Sequence, residues 1–308
     1  MQPQVLMIGG PTAVGKTALS VQLAQALNGE IVNADAYQIY RGMDIGTAKA
    51  TVAERAGVPH HLLDIVTPGE PYTVAQFKRQ ATAVIAEIHQ RGHLPIVVGG
   101  TGFYLNALRL GLPLGGEAPP SPYRQQLHAQ LTTRGPEWLW QQLLVQDPQA
   151  AEKIPVGNSR RVIRALEVIA LTGRPFSQQP EPKPAYDALV VGLTTERAQL
   201  YARINARVEL MVRSGLVPEV RRVVALAGPD AQALKAIGYK EMLPYLAGTA
   251  TLATCVAAIQ QHSRQYAKRQ LTYFRHQMPT HWFDLIAAPN QYQAILTLVS
   301  KWFKKGVF

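Results

Sequence analysis

Four short apolar runs punctuate a chain whose other segments repeat their hydrophobic residues at helical spacing. The runs are Val5-Leu6-Met7-Ile8, Glu30-Ile31-Val32-Asn33, Pro95-Ile96-Val97-Val98 and Ala188-Leu189-Val190-Val191-Gly192-Leu193. Apolar runs this short predict buried strands. Between the first two, Leu19, Leu23 and Leu27 recur every fourth residue, which predicts a helix from about Lys16 to Leu27. Strands that alternate with helices predict an α/β fold with a parallel sheet flanked by helices.

The pattern changes between about Gly111 and Pro184. The segments from Leu112-Pro113 to Pro122 and from Gln179 to Pro184 are dense in residues that break regular structure. The stretch between them has helical spacing and contains Trp138 and Trp140. The expected division is a core of residues 1–112 and 185–308, with 113–184 inserted as a small helical domain. Beyond the last apolar run, helical patterns cover 197–226, 231–246 and 251–277.

Composition narrows the class. A chain of 308 residues, 47% hydrophobic, buries a sizeable core without covalent staples. Its one cysteine, Cys255, forms no internal disulfide, and zinc-ligand spacings are missing, so a reducing, cytoplasmic setting is expected. The first residues lack a basic leader pattern, and no apolar run has the length to span a bilayer, so no membrane association is expected. The net charge of +11 is unevenly placed. Residues 1–150 hold ten basic and ten acidic side chains, and 151–308 hold twenty-one and ten. A one-sided excess of this size suits a polyanion, and also a plain solvated surface.

The strongest motif is Gly10-Pro11-Thr12-Ala13-Val14-Gly15-Lys16-Thr17, the GxxxxGK[ST] loop set between a strand and a helix. Its amides cradle phosphate oxygens at a helix N-terminus, Lys16 adds a point charge, and Thr17 offers a hydroxyl to Mg2+. This P-loop predicts a P-loop NTPase-like core. Nucleotide-binding and ATP-binding proteins share it, and the loop by itself specifies only a diphosphate-like group. Asp35 follows the second strand and Gly99-Gly100-Thr101-Gly102 the third, at the edge where parallel sheets bind ligands. Asp35 there reads as a helix cap as readily as it reads as a general base or an outer partner of a metal ion, and Thr101 as a hydroxyl for a leaving oxygen or part of an ordinary turn.

Two basic segments follow. Asn158-Ser159 caps a helix whose Arg160 and Arg164 share a face apart from Val162, Leu166 and Ile169. That face reads as a phosphate grip or as a solvated face with a pair such as Arg164 and Glu167. Arg264, Lys268 and Arg275 are expected to line one side of a late helix, with Tyr266 and Phe274 packing it to the core. His60-His61 reads as a hydrogen-bonding pair, since adjacent side chains diverge.

The ordered set of motifs resembles the tRNA dimethylallyltransferase (tRNA isopentenyltransferase) family along nearly the whole chain. The resembling runs are GPTAVGKT at 10–17, YRGMDIGTAKA at 40–50, HHLLDIVTPGEPYTVAQF at 60–77, GGT at 99–101, RRVIRALEV at 160–168, KAIGYKE at 235–241 and RQYAKRQLTYFR at 264–275. The resemblance implies transfer of a dimethylallyl group from dimethylallyl diphosphate to N6 of adenine 37 in tRNA, with Mg2+ and release of diphosphate. It implies that Gly10 to Thr17 hold the donor's diphosphate, with Thr17 on the metal, and that Asp35 and Thr101 are catalytic. It further implies that the tRNA anticodon stem-loop meets Asp35, Ala36, Tyr37, Gln38, Thr101, Arg124, Arg160, Arg161, Val162, Ile163, Arg164, Lys235, Lys240, Lys268, Arg269 and Arg275, with the protein acting as a monomer. Two positions depart from the family pattern: Asp35-Ala36 stands where Asp-Ser is usual, and Arg160-Arg161 where Gln-Arg is frequent. A small-molecule P-loop kinase, a nucleotide-gated RNA-binding protein and a transferase for free adenine nucleotides remain the alternatives, and the basic second half disfavours the first and last.

Overall fold

A computed structural model of the chain describes residues 2–114 and 121–304. The apolar runs have no polar face to keep in water, so they stack side by side in the interior. The strands β1 (Gln4–Gly9), β2 (Gly29–Asn33), β3 (His60–His61), β4 (Leu94–Val98), β5 (Asp187–Leu193) and β6 (Thr280–Phe283) form a sheet in the order β3-β2-β4-β1-β5-β6. Every pairing is parallel, with Leu6 opposite both Ile96 and Leu189.

The chain divides into two compact units, Met1–Leu114 with Pro184–Phe308, and Gly115–Lys183. The first unit carries α1 (Lys16–Leu27), α2 (Val52–Arg55), α3 (Val74–Gln90) and α4 (Gly102–Arg109). The second carries α5 (Pro122–Gln146), α6 (Pro148–Lys153) and α7 (Ser159–Thr172). The first then resumes with α8 (Arg197–Arg213), α9 (Leu216–Ala227), α10 (Leu243–Leu246), α11 (Leu252–Gln277) and α12 (Gln291–Lys304).

Alternation along β1 builds two apolar layers. Val5 and Met7 join a cluster with Phe77, Ile85, Leu105 and Val220, from α3, α4 and α9. Leu6 and Ile8 join one with Leu19, Leu23, Leu200, Ile204 and Ile295, from α1, α8 and α12. Helices therefore cover both faces of the sheet, and a side chain such as Leu23, 0% exposed, contributes about 2 kcal/mol by leaving water. The second unit has its own core of Leu127, Leu139, Leu143, Val162, Ile163 and Leu166. Within it α5 breaks at Gly135, whose φ of 85° no helix accepts, and the Trp140 indole donates to the Ile154 carbonyl at 2.7 Å.

The structure corrects several sequence expectations. The helical pattern over 197–226 is present, divided into two helices where Ser214-Gly215 turns the chain, with Gly215 at φ 102°. The pattern over 231–246 is not one helix: short 3-10 turns at Gln232–Lys235 and Lys240–Met242 lead into α10, with Gly238 at φ 99° between them. β3 and β6 had no apolar run to announce them. The hinge expected from Leu112-Pro113 to Pro122 lies, over 115–120, outside the described residues.

His60 and His61 hold the sheet rather than a metal. His60 Nδ1 bonds the Val58 carbonyl at 2.8 Å, and His61 Nε2 meets Glu30 at 2.6 Å. Glu30 is 3% exposed and also meets Arg91 through two bonds of 2.8 Å and His93 Nδ1 at 2.6 Å. A carboxylate only accepts, so both imidazoles donate. The Arg91 hydrogen bonds foremost, aided by His61 and His93, hold the Glu30 carboxyl down at about 2 although burial pushes it up. A carboxyl that ionises more readily folded than unfolded stabilises the protein above its ordinary value of 4.5, and the contribution disappears as pH falls through about 2. Glu30→Gln is expected to lower Tm at pH 7 by roughly 5 °C and to flatten the acid limb of a Tm-against-pH curve, both read by thermal unfolding.

Candidate active site

Connections leaving the carboxyl edge of a parallel sheet converge on one crevice. After β1, positive φ at Gly10 (131°), Ala13 (65°) and Gly15 (92°) curls the backbone so that its amides gather at the N-terminus of α1, an anion-binding arrangement. Gly10 is obligatory, since a Cβ there collides with the Leu193 carbonyl oxygen of β5. Lys16 Nζ donates to the Pro11 carbonyl at 2.6 Å across the loop. Burial, and then the Arg207 charge, lower its ammonium to about 8, with Asp35 opposing. Pro11 and Val14 are buried and shape the loop, whereas Thr12, Lys16 and Thr17 reach its cavity.

After β2, Asn33 Oδ1 accepts from Asp35 N at 3.1 Å, and Asp35 Oδ1 accepts from Tyr37 N at 2.9 Å and Gln38 N at 3.3 Å. The cap reading of Asp35 thus holds for Oδ1. Its other oxygen takes none of the described hydrogen bonds, and the residue lines the cavity. After β4, Gly99 lies so close to the Ala34 carbonyl that a side chain has no room. That approach brings Thr101 Oγ1 within 3.4 Å of Ala36 N, beside Asp35. Tyr266 of α11 lines the same cavity, and burial pushes its phenol up to about 12. One turn on, Gln270 Nε2 donates to the Gly100 carbonyl at 2.9 Å.

These loops surround one cavity of about 760 Å³, ample for two small reacting groups. Sequence reasoning missed four of its side chains. Arg207 Nη1 reaches Thr12 Oγ1 at 3.4 Å, and Arg203 Nε donates to the Ala13 carbonyl at 2.8 Å. Their four-residue spacing on α8 was a visible signal, but nothing local says that this face meets the P-loop. Tyr266 and Gln270 were hidden inside a basic helix, where Tyr266 was expected merely to pack.

The expected RNA-facing residues divide. Lys235 and Lys240 are exposed and border the cavity with Tyr37 and Gln38, and Ala36 is half-buried beside them. Lys268, Arg269 and Arg275 are exposed on α11, with Arg269 5.7 Å from the Tyr266 ring and Arg275 5.9 Å from the Trp282 ring. Arg264 does not continue their face, because it donates to Asn205 Oδ1 at 2.7 Å and lies over the Tyr201 ring. In the second unit Asn158 Oδ1 accepts from Arg161 N at 3.3 Å as a cap, leaving Arg160 and Arg161 exposed. Val162 and Ile163, 0% and 1% exposed, are core residues whose side chains cannot touch a ligand, a correction that follows from the apolar face of α7. Arg124 and Arg164 both meet the buried Glu167, at 3.2 and 3.0 Å, so the local ion pair is the one formed.

Among the described residues no group of three His, Cys, Asp or Glu side chains is placed to hold a metal, and no helix is long and apolar enough to cross a membrane.

The family model described as IPP transferase matches residues 38–277, and one described as isopentenyl transferase matches 3–67. A tRNA dimethylallyltransferase of Lacticaseibacillus paracasei is 62% identical over 98% of this chain and 98% of its own. That of Levilactobacillus brevis is 52% identical over 97% and 98%. The solved tRNA isopentenylpyrophosphate transferase of Bacillus halodurans is 44% identical, with a TM-score of 0.76 over 99% of this chain and 98% of its own. A eukaryotic dimethylallyltransferase solved acting on tRNA is 28% identical, with a TM-score of 0.83 over 99% of this chain and 80% of its own. With a P-loop and an acid brought to one cavity, and kinship of this extent, the chain belongs to the IPP transferase family of tRNA dimethylallyltransferases.

Proposed function

We propose that this chain transfers a dimethylallyl group from dimethylallyl diphosphate to N6 of adenine 37 in a tRNA anticodon loop, in the cytoplasm. The observation that carries the reading is a single cavity lined by both a phosphate cradle and Asp35. The C1–O bond of the donor breaks with its electron pair going to diphosphate, and the N6–C1 bond forms. Lys16, Arg207 and the loop amides stabilise the charge that develops on the leaving oxygen. The N6 amine is a weak nucleophile, so Asp35 orients it and accepts its proton, and Thr101, whose Oγ1 lies near Ala36 N beside Asp35, offers a hydroxyl to the leaving oxygen. The target adenine leaves its stack to reach the cavity, which costs least in a single-stranded loop. Lys235, Lys240, Lys268, Arg269 and Arg275, with Arg160 and Arg161 of the inserted unit, would grip phosphates.

The exposed Thr17 hydroxyl suits Mg2+, a hard ion that binds few protein ligands and completes its shell with phosphate oxygens and water. Bound there, Mg2+ would neutralise diphosphate charge.

Mass analysis of an anticodon stem-loop after incubation with the protein, Mg2+ and dimethylallyl diphosphate tests the reaction. The expected result is one dimethylallyl group on adenine 37; an unmodified loop, or phosphoryl transfer from ATP, refutes it. Asp35→Asn preserves the cap, since Asn and Asp cap about equally well, but removes the basic oxygen. Single-turnover transfer at saturating substrates is therefore expected to fall roughly a hundredfold, with tRNA affinity little changed.

Lys16 carries a cost in the unliganded protein. A base whose pKa is lowered on folding opposes folding while it is charged: the penalty is complete below about 8 and vanishes above 10.5. Lys16→Met is thus expected to raise the Tm of ligand-free protein at pH 7, with the gain shrinking toward pH 10, while diphosphate binding by calorimetry weakens about tenfold or more. For the basic surface, Arg160→Ala with Arg161→Ala should reduce the slope of log K for tRNA against log salt by about two, one per lost phosphate contact. A slope equal to that of wild type would exclude these arginines from the backbone contact.

A further inference from the structure

The segment 44–48 has no catalytic side chain, yet Gly46, Thr47 and Ala48 line the cavity. On its opposite side three consecutive amides, those of Asp44, Ile45 and Gly46, converge on Glu219 in the first turn of α9, each at 2.9 Å. Successive backbone N–H groups aimed at one point make a nest of the kind that elsewhere takes an external anion. Here a side chain only 2% exposed supplies the anion. Tyr239 adds a fourth donor, its hydroxyl lying 2.6 Å from Glu219 Oε1. Burial, and then the Glu219 charge, push that phenol far above its ordinary range, so it stays a donor. The Tyr239 ring packs against Gly46, where any Cβ would strike it.

The other edge of the segment reaches the acceptor side. The Thr47 and Ala48 carbonyls accept from Gln38 Nε2 at 3.1 and 3.4 Å. Gln38 N in turn donates to Asp35 Oδ1 at 3.3 Å. A path of hydrogen bonds joined by covalent chain therefore runs from Glu219 through the backbone of 44–48 to the Gln38 side chain, and from the Gln38 backbone N–H to the carboxylate in the cavity. A buried carboxylate is costly unless saturated, and this one is saturated by the wall it holds.

We propose that Glu219 is a positioning residue: by filling the nest of 44–46 it holds the segment whose carbonyls orient Gln38 and, through it, the Asp35 turn. The inference rests on the transfer reaction above. Glu219→Gln keeps the volume but offers one accepting oxygen to four donors and adds an amide N–H that opposes them. Single-turnover transfer at saturating donor and tRNA is expected to fall at least about tenfold, while inorganic diphosphate, held chiefly by Lys16 and the amides of 10–17, with Arg207 touching both that loop and the Ala48 carbonyl, changes in affinity by less than about threefold. Amide hydrogen exchange at 37–38 and 44–48 is expected to accelerate, with 10–17 unmoved. Tyr239→Phe keeps the ring on Gly46 and removes one donor, so a loss of about threefold in the same rate is expected; it carries the test alone if Glu219→Gln does not fold. The proposal is overturned by transfer within twofold of wild type in Glu219→Gln, or by diphosphate affinity falling in step with transfer. Where Tyr239→Phe carries the test, a wild-type rate overturns it. Exchange needs no activity, so the two readings fail separately: a wild-type protein that transfers nothing removes the reaction, whereas unmoved exchange at 37–38 in Glu219→Gln removes the positioning role.

Discussion

The active-site edge depends on close backbone approach between neighbouring parallel strands. β1 and β5 end so near one another that only glycine fits at Gly10, and β2 and β4 end so near that only glycine fits at Gly99. These contacts decide where the following loops go. The first turns the P-loop amides toward a common point at the start of α1, and the second brings Thr101 to the Asp35 turn. An anion cradle and a carboxylate, one attracting negative charge and the other repelling it, thereby share one cavity.

Three acids in this fold show how donor supply sets the role of a carboxylate. Glu30 is surrounded by a guanidinium and two imidazoles and serves as a clamp between β2, β3 and the turn into β4. Glu219 is surrounded by backbone amides and a phenol, which commits it to one loop conformation. Asp35 has both its bonds on Oδ1 and borders open space, so part of its capacity is left for a ligand. An acid fully occupied by the protein is structural; one half-occupied at a cavity is available for chemistry.

The basic excess separates in the same manner. Arg203 and Arg207 turn inward to the P-loop, where they join Lys16 at a cost in unliganded stability. Arg124, Arg164 and Arg264 are engaged by Glu167 and Asn205. Arg160, Arg161, Lys268, Arg269 and Arg275 remain at the surface. Total charge therefore overstates the surface offered to a polyanion, because each buried or paired cation releases fewer counterions.

Local features of the sequence determined the four main strands, α1, the P-loop, the Asn158 cap and the placement of Asp35 and Thr101 at strand ends, because periodicity, glycine and cap chemistry act within a few residues. The same logic separated Val162 and Leu166 from the arginines of α7, yet the family likeness drew Val162 and Ile163, whose side chains are buried, into the RNA-facing set. Two-residue β3, polar-edged β6 and the broken path over 231–246 were illegible, since they form only against strands and helices distant in sequence. Only the tertiary structure decided that α8 aims Arg207 at Thr12, that Tyr266 lines the cavity with Asp35 and that Glu219 fills a nest of amides more than 170 residues away. Those choices depend on which helix face meets which strand end, and no local spacing encodes that.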